Sequence, residues 1–220
     1  MTRQNFDLQL AQVKEKLVNL AAMVNRCQEQ AVKALGERDE ELAKEVIASD
    51  QTINQMQRDI EEACLRLIAS QQPVARDLRL VFSMSTIASE LERMADHAKG
   101  IAVLAQRLAD QPLLKPLIDV PRMAEIGREM LMGEIDAFIR GDAEAARAVA
   151  QRDNEVDQLN DQVFRELLVF MMTDPRTITR ATYLLWVAHN LERFADRTTN
   201  IGERVVFMRT NVIVELNERS

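Results

Sequence analysis

The stretch Leu91-Glu92-Arg93-Met94-Ala95-Asp96-His97-Ala98-Lys99-Gly100-Ile101-Ala102 returns a hundred residues later as Leu191-Glu192-Arg193-Phe194-Ala195-Asp196-Arg197-Thr198-Thr199-Asn200-Ile201-Gly202. In a chain of 220 residues, two such copies require two similar halves, each with room for a few helices. Each copy sets a glutamate and an aspartate four residues apart, which puts both carboxylates on one helical face a turn apart. The constraint is therefore double: a duplicated helical fold, and a duplicated pair of acids within it.

The apolar spacing supports helices throughout. From Phe6 it runs through Leu10, Val13, Leu17, Leu20, Val24, Cys27, Ala31 and Leu35 in steps of three and four. Gly36 is the expected left-handed stop, and Asp39 the expected cap of a second helix from Glu40 towards Ser70. That helix has a stripe of Val46, Ile53, Met56, Ile60, Ala63 and Leu67, with Asp50 set into it and Asn54 a turn further on. Gln71-Gln72-Pro73 breaks it, and a third helix from Val74 to about Asp110 carries the first copy of the repeat.

Residues 112–121 hold three of the five prolines and form the expected linker between a first bundle (1–111) and a second (122–220). Its apolar residues predict that it packs down. The pattern then restarts. Met123, Ile126, Met130, Ile135 and Phe138 mark a fourth helix, stopped by Gly141 and followed by Asp142 as a cap. A fifth is expected from Ala143 to Thr173, with Asp153 where Asp50 stood and Asp157 opposite Asn54. Pro175 opens a sixth, which carries the second copy and is expected to continue towards Val212-Ile213-Val214. With only 4% aromatic residues, 6 Gly and no strand-like alternation, the reading is all-α: two tandem antiparallel three-helix bundles.

A net charge of −7 argues against nucleic-acid binding and against an anionic membrane surface. No apolar run approaches the roughly 20 residues of a spanning helix, and the polar start is not a secretory signal, so a cytoplasmic protein is expected. Cys27 and Cys64 lie in helical patterns without a C-x-x-C motif and read as buried free thiols.

The chemistry rests on the acids. Like charges one turn apart cost a few tenths of a kcal/mol when exposed and far more when buried. Small residues flank both pairs, Ser85, Ala88 and Ala95 in one copy and Ala188, Ala195, Thr199 and Gly202 in the other. Asp50 and Asp153 could converge on them from the preceding helices. Three acids per half make an oxygen-rich site that suits Mg, Ca, Mn or Fe. The alternative is ion pairing with Arg93, Arg193, Arg79 or Arg180. His97 and His189 are not equivalent, and no E-x-x-H pair, phosphate loop or catalytic triad is present.

At these residues the chain resembles the PhoU family. The resemblance rests on the duplicated L-E-R-[MF]-A-D element, the Ala75-Arg76-Asp77-Leu78-Arg79 run, the stripe aspartates and Asn200-Ile201, and it spans nearly the whole chain. It implies paired three-helix bundles and a non-enzymatic, cytoplasmic negative regulator of phosphate uptake and of the phosphate-starvation response. The implied partners are the nucleotide-binding subunit of the phosphate ABC transporter and a membrane sensor histidine kinase, with the chain peripheral to the membrane through them and expected as a homodimer. It also implies metal ions (Fe, Mn, Mg, Ca or Zn) on E(D)-x-x-x-D motifs. Carried over, these nominate Glu92, Asp96, Glu192 and Asp196, joined by Asp50 and Asp153, with Asp157, Asn200 and Asn54 further out. Gly100 opposite Asn200, and Asn54 opposite Asp157, predict unequal sites with the first the weaker. A metal-dependent phosphate-ester hydrolase and a metal-free helical scaffold are the alternatives.

Overall fold

The computed structural model describes residues 3–216. Among these, helices α1 (Arg3–Glu37), α2 (Glu40–Gln71) and α3 (Ala75–Leu108) form the first bundle. The second comprises α4 (Asp119–Arg140), α5 (Ala143–Ala150), α6 (Asp153–Thr173), a 3-10 turn (Pro175–Thr177) and α7 (Ile178–Thr210). The fold is thus all-α, the three-helix unit occurring twice, and no described helix is long and apolar enough to cross a membrane.

The expected stripes are the buried faces. Leu17, Leu20, Val24 and Leu35 of α1 and Met84, Ile87, Leu91 and Met94 of α3 are sealed from solvent. So are Leu191, Phe194, Ile201 and Val205 of α7. Burial stabilises each large side chain by about 1.5–3 kcal/mol, far more than helix propensity offers per residue. Asp39 caps α2 by accepting the Leu42 N–H at 3.0 Å, and Asp142 caps α5 through Ala145 at 3.0 Å. Gly141 takes the left-handed conformation, φ 65°. Cys27 and Cys64 are buried free thiols.

Four local expectations need correction. The left-handed residue after α1 is Arg38 (φ 57°), not Gly36, and the Asp39 N–H closes the turn on Ala34 O at 2.9 Å. This closure satisfies an end carbonyl and offsets the side-chain crowding of a non-glycine residue there. The long fifth helix is in fact two. Arg152 N donates to Val149 O and Glu155 N to Arg152 O, both at 3.0 Å, a tightened turn that no Gly or Pro announces. The last helix does not continue into Val212-Ile213-Val214. It stops at Thr210, Asn211 turns left-handed (φ 64°), and the chain turns back outside any helix. Val214 and Leu216 then face inward, and Leu216 N donates to Glu203 Oε1 at 3.1 Å. Finally, α4 begins at Asp119, so Pro121 lies in its first turn, while Leu114 and Leu117 of the preceding connection pack on the core.

The bundles meet along α3 and α7, with α1 against α4. Polar contacts fix the antiparallel register of the central pair. Glu90 of α3 accepts from Arg197 (3.3 Å) and Asn200 (3.1 Å) of α7, and His97 Nδ1 meets Asn190 Oδ1 at 3.1 Å. Ser83 donates to Arg204 O at the far end.

Candidate metal centre

In the second half, the break after α5 makes Asp153 the first residue of α6, where its side chain turns towards α7 and is only 4% exposed. Its Oδ1 is buried without a hydrogen-bond partner. Burial, and then the nearby Asp157, Asp196 and Glu192 carboxylates, push the Asp153 carboxyl up to about 7, against the pull of Arg193. The four predicted acids therefore converge electrostatically on one place between α6 and α7.

Glu192 is 5% exposed, and Arg193 neutralises it. The guanidinium donates from Nε to Glu192 Oε2 at 2.6 Å and from Nη2 to Oε1, and Nη1 reaches Asp196 Oδ2 at 3.3 Å. His189 Nδ1 stands 3.9 Å from Glu192 Oε2. Ala188, Ala195 and Thr199 are fully buried beside the pair, so the helices approach closely at this level.

The first half uses a different counter-charge. Asp50 lies within the unbroken α2, where Lys99 Nζ binds its Oδ2 at 2.8 Å and Asn54 Nδ2 adds a 3.3 Å contact. Glu92 is raised from its ordinary value, first by burial and then by Asp96 and Asp50, with Arg93 and Lys99 opposing. The position matching Lys99 is Thr199, which carries no charge, and the position matching Arg193 is the exposed Arg93. In each half a cation pairs with one or two of the acids, Arg193 with Glu192 and Asp196 and Lys99 with Asp50.

Asn200 stands apart from this arrangement, its amide spent on Glu90 across the α3–α7 contact. Among the described residues, no group of three or more His, Cys, Asp or Glu side chains is arranged to hold a metal ion as it stands. The orphaned, buried Asp153 Oδ1 nevertheless fits a hard cation, because an acceptor surrounded by three more carboxylates can be satisfied by one.

Several polar residues of this region were not singled out from sequence. Lys99 and Glu90 sit inside or beside the repeat, but their partners lie on other helices. Glu134 of α4 and Gln28 of α1 are both fully buried. Glu134 falls four residues from both Met130 and Phe138, a stripe position that was open to the same reading as Asp50 and Asp153.

The PhoU domain matches this chain twice, over residues 17–105 and 120–205. The chain belongs to the PhoU family. A relative from Aquifex aeolicus described as "Phosphate-specific transport system accessory protein PhoU homolog" is 40% identical over 94% of each chain. One of the same description from Pseudomonas putida is 38% identical, covering 93% of this chain and 80% of the relative. The crystal structure of PhoU from Pseudomonas aeruginosa superposes with a TM-score of 0.90 at 36% identity, over 94% of this chain and all of that one. That of the phosphate transport system regulatory protein PhoU from Streptococcus pneumoniae gives 0.88 at 35%, over 95% and 99%. The two matched PhoU domains each contain one acid pair of the repeat, and each also contains its stripe aspartate, Asp50 or Asp153.

Proposed function

We propose that this chain is a non-enzymatic accessory protein of phosphate-specific transport, restraining uptake and the phosphate-starvation response when phosphate is plentiful. The observation that carries this reading is the full-length PhoU likeness in both halves, each of which retains its acid cluster. The relatives' shared description as accessory proteins of phosphate-specific transport supports the transport role. An adaptor of this kind works by contact, docking on the nucleotide-binding subunit of the phosphate ABC transporter and on a sensor histidine kinase. It stays in the cytoplasm and acts as a homodimer.

Metal binding is the second part of the proposal. Asp153, Asp157, Glu192 and Asp196 would hold the ion in the second half, and Asp50, Glu92 and Asp96 in the first. Fe, Mn, Mg, Ca or Zn on these oxygens would supply positive charge where Arg193 and Lys99 now supply it. Arg193 would have to release Glu192, and Lys99 to release Asp50, so the two internal cations set the threshold for binding. Asn200 would join only after giving up Glu90.

Deleting the gene in phosphate-rich medium tests the regulatory role: starvation genes should switch on, and unchanged repression would overturn it. Metal content of protein purified without chelator, with the melting temperature before and after adding each ion, tests the site. No retained metal and no shift in melting would leave the acids as ion-pair partners only.

A further inference from the structure

The first-half end of the α3–α7 seam is an open groove of about 520 Å³ lined by Asp96 and Lys99 on one side and by Val103, Arg107, Tyr183 and Trp186 further along, among others. Trp186, the chain's one tryptophan, is 55% exposed there. Arg107 lies over the Tyr183 ring at 5.7 Å and makes no ion pair with a carboxylate of the described residues. The exposed aromatic surface of Trp186, beside a guanidinium with no such ion-pair partner, marks a place of contact.

The pseudo-symmetry of the fold shows what kind of contact. Because α3 and α7 are antiparallel copies, the groove's lining positions have counterparts at the other end of the seam, where Glu203 stands for Val103 and Phe207 for Arg107. That end carries the chain's own segment 211–216, which turns back along α7, packs Val214 and Leu216 inward and donates Leu216 N to Glu203. After α3 the chain cannot do the same, since residues 109–118 must lead on to α4, with Leu114 and Leu117 packing there and Arg180 binding Pro112 O. The tail thus packs at one end of the seam, and among the described residues no such segment lies on the matching positions Val103 and Arg107.

We propose that the open groove takes an extended segment of a partner protein, with apolar side chains at alternate positions and a carboxylate. Alternation follows from the seated tail, whose inward residues are two apart. The acidic preference follows from the exchange of groups between the two ends of the seam. The tail's end presents the Glu203 carboxylate to a backbone N–H, whereas the open groove presents Arg107 over the Tyr183 ring, Lys99 being already paired with Asp50. The inference stands on the groove itself and holds whether or not the acid clusters bind metal.

Trp186 emission of the full chain reports occupancy directly. The probe is the hexapeptide Asn-Val-Ile-Val-Glu-Leu, the sequence of the seated tail, alongside a version with Lys in place of Glu. A saturable change with the first is expected, weakened about tenfold with the second and about tenfold in an Arg107→Glu chain, which alters only an exposed side chain. No saturable change at millimolar peptide, equal binding of both peptides, or indifference to Arg107→Glu would overturn the proposal. So would a concentration-dependent emission change without peptide that disappears when residues 211–216 are removed, since the occupant would then be the tail of a second copy.

Discussion

Glu134 of α4 fits into α7 only because residue 202 is glycine: a Cβ there would stand 2.6 Å from Glu134 Oε1. The corresponding first-half positions are Ala31, at the offset that relates Asp39 to Asp142, and Ala102, both fully buried. One half therefore seats two methyl groups where the other seats a carboxyl and a hydrogen. Gly202→Ala should destabilise by about 1–3 kcal/mol through overpacking. Adding Glu134→Ala should recover part of that loss, and a thermal double-mutant cycle measures the coupling. Strictly additive effects would show that the two residues do not share the space.

Both oxygens of Glu134 are buried without a partner, and burial alone pushes its carboxyl from 4.5 up to about 9. The folded protein holds that proton more tightly than the unfolded chain, so this contribution is fully present below about pH 4.5 and is lost as the pH rises towards 9. Glu134→Met, similar in volume and apolar, should raise the melting temperature and flatten the decline between pH 5 and 9. A variant as steep as the parent would assign the slope to other groups.

Asp153, raised to about 7 even with Arg193 nearby, is about half protonated at neutrality. By the same sign, its stabilising share is complete below its ordinary 3.8 and is lost on the way up to 7. A metal needs the carboxylate, so affinity for a divalent ion should climb as pH rises through about 7 and level above it. Titrating Mn²⁺ by calorimetry from pH 5.5 to 8 checks this. Asp153→Asn should abolish the pH dependence together with most of the binding at the second site.

Arg193 is the counter-charge of the second cluster, so Arg193→Gln should lower the metal-free melting temperature, by roughly 1–3 kcal/mol of stability for a partly buried, doubly hydrogen-bonded pair. Added divalent ion should restore more of this loss in the variant than it adds to the parent, since the cation takes the place of the guanidinium. Restoration no greater than in the parent would mean that the ion binds elsewhere.

Lys99 ties the first cluster to Asp50 in the same way, and its twin Thr199 offers the second cluster no such tie. Asp96→Asn should therefore cost less bound metal than Asp196→Asn, and Lys99→Met should narrow the difference. Metal content per chain, measured after dialysis against each ion, decides between unequal and equal sites.

The helices and their order were legible because each depends on near neighbours: apolar residues three and four apart, and Asp39, Gly141 and Asp142 at the junctions. The convergence of Asp153 with Glu192 was legible for the same reason, since two facing stripes each carried an acid. The turn at Gln151–Arg152 was not, because Ala143 to Ala150 is strong helix-forming sequence and the break is imposed by packing. Nor were the contacts of Lys99 with Asp50 or of Asn200 with Glu90, which depend on how α2, α3 and α7 face one another. The fold-back after Thr210 escaped because Val212-Ile213-Val214 carries an apolar signal that suits a helix and an extended strand alike.

The four polar contacts along α3 and α7 have a mechanical consequence. Sliding one helix past the other by a turn would strand Glu90, whose side chain is 15% exposed, and part His97 from Asn190 at the same moment. Relative sliding of the two halves therefore breaks every one of these contacts together.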